Sequence, residues 1–303
     1  MSSDHGSSAK AILYAFFANL GIAVTKTGAA LYTNSGSMVA EAIHSYADCT
    51  NQVLLFVGIK QADKAPTAEH PLGYGKVTYF WSFVVALLLF SMGGLFSIYE
   101  GWHKLHEPEP LNKAWVALLV LGIAIVLETG SLLGCLNEIR KVRRDRSLLD
   151  WLKHTRNAEL VVVLGEDVAA LIGLVLAFVF VSLASVTGDT RYDAVGSIAI
   201  GVVLILVAFF IAARIKSLLV GKSAEPALQR ELNALIAGDE AIERVLNTIT
   251  LQFGPQVLLA AKVRMKPGLS IETAVERINA LERNVKQRFP EVGWCFVEPD
   301  VTD

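Results

Sequence analysis

Six stretches of roughly twenty mostly apolar residues, all before residue 220, constrain this 303-residue chain more than anything else in it. A bilayer core about 30 Å thick is crossed by ~20 apolar residues in a helix, and only helices or closed barrels satisfy their own backbone there. The stretches are read as spans at about 10–33, 36–62, 77–102, 111–138, 158–184 and 190–215. The third, fifth and sixth are plain, as in FWSFVVALLLFSMGGLFSIY. The first two are less apolar and carry Lys26, Glu41, His44 and Asp48, as expected of helices screened from lipid by their neighbours. Composition agrees, with 53% hydrophobic and 18% charged residues against ~45–50% and ~25% in soluble domains.

The basic residues set the orientation. Lys10, then Lys60, Lys64 and Lys76, then seven from Arg140 to Arg156, then Arg214, Lys216 and Lys222 fall on one side of six alternating crossings. The other side has only Lys104, Lys113 and Arg191. By the positive-inside rule both termini face the cytoplasm, which requires an even number of spans. The first nine residues have neither the basic start of a secretory signal nor the arginines of a transit peptide. The expectation is therefore a multi-pass protein of a bacterial inner membrane, with a cytoplasmic tail at 1–9 and a transmembrane domain at 10–219.

Residues 220–303 read as a cytoplasmic domain of a different kind. From Gln256 to Lys266, Val257, Leu259, Ala261, Val263 and Met265 alternate with polar neighbours, the period of a half-buried strand. Gly254-Pro255 makes a turn from a preceding strand at about Arg244–Phe253. Ser270 is a suitable N-cap for a helix carrying Ile271, Val275, Ile278, Leu281, Val285 and Phe289, which Pro290 stops. A helix at about Pro226–Ile236 and a last strand through Trp294–Val297 complete an α-β-β-α-β order, a small ferredoxin-like α+β domain. A net charge of −2 offers no basic field for nucleic acid. Three widely separated cysteines give no disulfide framework.

Ionisable side chains inside spans are costly and point to function. In AEAIHSYADCTNQ of span two, Glu41, His44 and Asp48 stand at i, i+3 and i+7, with Ser45 beside them. His44 and Asp48, one turn apart, can converge on one ion; alone, the pair reads equally as a hydrogen bond satisfying both. Span five shifts the balance, because Glu166 and Asp167 are adjacent carboxylates in an apolar run and repel unless a cation, a proton or a basic partner sits with them. Lys26 is the basic residue deep within a span, and it reads as the structural partner of Glu128 or Glu41. A divalent cation resolves the surplus of acid. The mixed nitrogen and oxygen set suits Zn²⁺, with Co²⁺, Ni²⁺, Fe²⁺ and Mn²⁺ as other candidates. Asn51 and Gln52 line the path or pack, and His70 in the loop EHPLGYGK reads as structural.

These pieces, with HPLGYGK, EDVAALIG, DAVGSIAIG, LLVGKSAEP and FVEP in that order, resemble the cation diffusion facilitator family of zinc-transporter type. The likeness covers nearly the whole chain and is nearest the branch with an acidic pair in span five, related to the mitochondrial zinc transporter type. It implies six helices with a metal site between spans two and five, and a homodimer formed with help from the cytoplasmic α+β domain. The span-two ligands fall on His44 and Asp48, and the span-five carboxylate falls on Asp167. The fourth ligand of the family falls on Val163, which has no donor; Glu166, about 60° away around the helix, is nominated in its place, with water as the alternative. A loop site would need a second histidine where Tyr74 stands, the cytoplasmic domain has no histidine, and Lys76 matches a lysine that locks the dimer interface in some members.

The implied function is efflux of a divalent metal by proton-coupled antiport. Metal and protons are the substrates, no cofactor is held permanently, and no catalysis is expected. Glu41, Ser45, Gln52, Lys26 and Glu128 are expected to support the metal ligands or to line the ion path. An intramembrane metal hydrolase lacks an HExxH pair or a base-paired nucleophile. A membrane-embedded sensor or scaffold would bind ions without moving them.

Overall fold

The computed structural model describes residues 4–107, 110, 113–143 and 145–302, the side chains of 4–15, 17 and 18 apart. Residues 1–3 of the expected tail and the start of the expected fourth span at 111–112 lie outside them. The order is α1 (Asp4–Thr33), α2 (Gly36–Ala62), α3 (Val77–Leu88) running through π-helical turns (Leu89–Leu95) into α4 (Phe96–His106), α5 (Ala114–Arg143), α6 (Leu148–His154), α7 (Ala158–Thr187), α8 (Arg191–Val220), α9 (Pro226–Ala237), β1 (Ile242–Phe253), β2 (Gln256–Met265), α10 (Ile271–Arg288) and β3 (Val292–Pro299). Four helices, Val77–His106, Ala114–Arg143, Ala158–Thr187 and Arg191–Val220, are long and apolar enough to cross a membrane. At 30 and 27 residues, α1 and α2 are as long, and their buried polar side chains keep them from the same apolarity. The α-helical membrane architecture and the α-β-β-α-β order follow the sequence reading.

The chain forms two compact units, the first from residues 1–59, 80–145 and 159–215. It exposes large apolar side chains, such as Val126 (71%) and Leu206 (64%), as suits helices that meet lipid. Between membrane helices, small residues let backbones approach. A Cβ on Gly101 would stand 2.5 Å from the Ala194 carbonyl oxygen, and one on Gly201 2.6 Å from that of Gly94, so α8 meets the π-turn and α4 almost backbone to backbone.

Two polar devices fix α1 against α2. The turn between them carries Asn34 in the left-handed region (φ 58°), its carbonyl bonded by Lys104 Nζ. The first N–H groups of α2, left open by any helix, are closed by a residue from α8: Asp193 accepts from Gly36 N at 2.5 Å, Ser37 N at 3.2 Å and Ser35 Oγ at 2.7 Å. Ser35 Oγ itself accepts from Met38 N. Deeper in the membrane, Lys26 Nζ bonds Glu41 Oε2 at 3.0 Å and Ser45 Oγ at 2.9 Å, with Lys26 and Glu41 both buried. The sequence left Glu41 and Glu128 open as partners of Lys26; the structure selects Glu41.

The second unit comprises residues 60–79, 146–158 and 216–303. Its sheet has the order β1-β2-β3, with β1 antiparallel and β3 parallel to β2. Val257, Leu259, Ala261 and Val263 of β2 face a core shared with Leu232 and Ile236 of α9 and Leu281, Val285 and Phe289 near or on α10. Ser270 caps α10, its hydroxyl accepting from Thr273 N. Arg156 donates to the Ser223 and Ala224 carbonyls and Arg146 pairs with Glu225 at 2.9 Å, so the 146–158 segment holds the start of α9. At the β1–β2 turn Gly254 has φ 63°, and a Cβ there would come within 2.5–2.8 Å of Gly75 backbone atoms; Tyr79 Oη donates to the Gly254 carbonyl. Buried Cys295 has its thiol pushed up to about 11 by burial, so it carries no thiolate at neutral pH.

Two expectations about stability follow. Gly254→Ala combines a left-handed backbone with a collision and should cost about 1–3 kcal/mol, read as a lowered midpoint in thermal unfolding of the detergent-solubilised protein. Lys26→Met leaves Glu41 buried without its cation and should cost about 3–5 kcal/mol, while Lys26→Met/Glu41→Gln recovers most of the loss. Equal melting of the single and double variants would contradict the pairing.

Candidate metal centre

Four helices of the first unit wall a cavity of about 120 Å³. From α1 come Asn19 and Ile22, from α2 Ser45, Asp48, Gln52 and Leu55, from α5 Glu128 and Ser131, and from α7 Val163, Glu166 and Asp167. The three- and four-residue spacings within each set place it on one helix face. Asp48, Glu166 and Asp167 of the expected set therefore share one wall system, with Ser45, Gln52 and Glu128 from the expected ion path.

His44 is absent from the lining residues. Its Nε2 is 3.6 Å from Asp48 Oδ2, too long for a good hydrogen bond, with the imidazole 1% and the Asp48 side chain 24% exposed. Neither ring nitrogen has a hydrogen-bond partner among the described residues. Asp48 Oδ1 and Asp167 Oδ2 are likewise buried and unpartnered. Buried polar atoms are nearly always bonded, so unpartnered donors and acceptors gathered at one place mark a site prepared for something else.

The remaining atoms are held. Asn51 Nδ2 donates to Glu166 Oε1 at 2.5 Å, and Ser131 Oγ to Asp167 Oδ1 at 3.4 Å. Sequence reasoning gave Asn51 a packing or path role and missed Ser131; the signal for Ser131 was its place three residues after Glu128, on the same helix face. Val163 stands on the cavity wall one turn before Asp167, where it offers no donor. Glu41, bonded to Lys26, is absent from the lining residues.

The donors surround the cavity rather than converge. Among the described residues no three His, Cys, Asp or Glu side chains stand close enough to hold one metal ion together. Like-charged carboxylates repel in a medium of low polarity, and Glu166 turns to the nearest amide. In the second unit, His70 stacks on Tyr74 with ring centroids 4.5 Å apart, and Lys76 Nζ sits 5.6 Å from the centre of the Phe253 ring.

The cation efflux transmembrane domain matches residues 12–220 of this chain. The proton-coupled zinc antiporter SLC30A9, mitochondrial, of Xenopus laevis is 34% identical over 84% of the chain and 45% of its own length. The human protein of that name is 31% identical over 84% of the chain and 44% of its own length. Metal tolerance protein C4 of Arabidopsis thaliana is 28% identical over 82% of the chain and 55% of its own length. The chain spans about half the length of the curated relatives it matches. The vertebrate relatives are named mitochondrial, so the expected bacterial inner membrane gains no support, while an apolar-helix membrane protein stands. On the transmembrane match and these identities, the chain belongs to the cation efflux, or cation diffusion facilitator, family.

Proposed function

We propose that this protein exports a divalent metal ion, Zn²⁺ first, in exchange for protons, by alternating access to a site near the bilayer midplane. The observation that carries this reading is the set of buried, unpartnered acceptors on α2 and α7: the His44 ring, Asp48 Oδ1 and Asp167 Oδ2, with Glu166 beside them. Surplus negative charge in hydrocarbon needs a cation or protons. The names of the vertebrate relatives support zinc and proton coupling.

In the proposed cycle the ion enters from the basic side of the membrane, taken as the cytoplasm, and binds His44, Asp48, Asp167 and Glu166 in their deprotonated forms. A carboxylate oxygen or imidazole nitrogen that holds a metal cannot hold a proton at the same lone pair. Opening to the other side lets protons take those atoms and release the ion, so inward proton flow drives metal outward. Metal is cargo, with no resident cofactor and no bond chemistry, and the working unit is a homodimer.

In proteoliposomes, Zn²⁺ movement should be matched by counter-movement of protons, recorded with an internal pH dye. Asp48→Ala and Asp167→Ala should each reduce both fluxes to the level of protein-free vesicles while the protein stays dimeric on size exclusion. Wild-type exchange rates in either variant would refute the assignment.

A further inference from the structure

The carboxylates of α2 and α7 share their cavity with one from a third helix. α5 buries a narrow seam, Ala117, Leu121, Ala124 and Cys135, and Glu128 continues that three- and four-residue spacing. It stands at the middle of the 30-residue helix, about 22 Å from either end, at the depth where a charge is most costly. Lys26, one structural partner the sequence allowed, is bonded to Glu41 and Ser45. Among the described residues no hydrogen bond or ion-pair contact joins Glu128 to another side chain, and the charged groups that share its cavity are the like charges Asp48, Glu166 and Asp167. A carboxylate so placed has no structural task in view. The neighbouring Asp167, 9% exposed, has Oδ2 unpartnered at the same cavity.

We propose that Glu128 is a ligand-supplying and selectivity-determining residue of this cavity, and that it extends the cargo to harder divalent ions, Mn²⁺ above all, alongside Zn²⁺. The proposal rests on the reading of the cavity as the metal site. Every polar side chain on the wall offers oxygen: four carboxylates, two hydroxyls, and the amides of Asn19 and Gln52. Neither the imidazole of His44 nor the thiols of Cys49 and Cys135 are among the lining residues. Imidazole and thiolate favour Zn²⁺, whereas carboxylate, carbonyl and water suit Mn²⁺ and Mg²⁺. Glu128 supplies a fourth carboxylate from a third helix and so tips the donor set toward oxygen.

The test is Mn²⁺ binding to the purified full-length protein, followed by loss of the free-ion electron paramagnetic resonance signal and by competition with Zn²⁺. Glu128→Gln should weaken Mn²⁺ by about tenfold or more and Zn²⁺ by a clearly smaller factor. Glu128→Met, similar in length and suited to a lipid-embedded helix, should do the same. Undiminished Mn²⁺ affinity in either folded variant, or equal loss of both metals, overturns the proposal. Transport by the wild-type protein separates the two readings. Zn²⁺/H⁺ exchange by a protein whose Glu128→Gln variant binds Mn²⁺ normally sinks this inference alone. Glu128-dependent Mn²⁺ binding without any ion flux supports the ligand and selectivity role of Glu128 while sinking the transport reading, and with it Mn²⁺ as cargo.

Discussion

A charge inside a membrane must be balanced by the protein, because hydrocarbon has nothing to offer it. The first unit meets this condition in two ways. Lys26 and Glu41 neutralise one another in a buried pair that needs no third party. Asp48, Glu128, Glu166 and Asp167 have no such cation among the described residues; they share one small cavity and partial relief from Asn51 and Ser131. The first arrangement gives α1 and α2 a fixed register. The second leaves a deficit of positive charge that a mobile cation or protons can fill, and the three helices bearing it, α2, α5 and α7, are among the four that wall the cavity.

Much of this was legible in the residues. The spans followed from apolar length, and the small domain from the change of period at Gln256–Met265 and the Ser270 cap, because each signal is local. The acidic residues of spans two and five were conspicuous against their apolar surroundings. What the sequence did not settle depends on which helices are neighbours. The choice of Lys26 between Glu41 and Glu128 is a matter of packing, as is the bond from Asn51 to Glu166. The bond from Ser131 to Asp167 is set the same way, and its one trace in the sequence was the spacing of Ser131 from Glu128. His44 was expected beside Asp48 on the ion; its imidazole stands 3.6 Å from Asp48 and is absent from the lining residues, an orientation that residue spacing does not supply.

The motif DAVGSIAIG shows how a functional-looking stretch acquires a mechanical meaning. Its aspartate, Asp193, is absent from the lining of the carboxylate cavity; it closes the open N–H groups of α2 and receives the Ser35 hydroxyl. The glycines around it serve close backbone approach: a Cβ on Gly196 would come within 2.7–2.8 Å of Phe180 and Ser37 atoms. The residues that bind and the residues that brace are therefore interleaved along the same chain, and spacing alone does not sort them.

The anchoring of α2 at Asp193 makes that helix a lever with its fulcrum at one membrane face. Asp48 lies twelve residues along from Gly36, an arm of about 18 Å. A tilt of roughly 10° about the anchor carries the carboxylate about 3 Å, the difference between holding an ion and losing it. In such a swing the opposite end of α2 travels farthest.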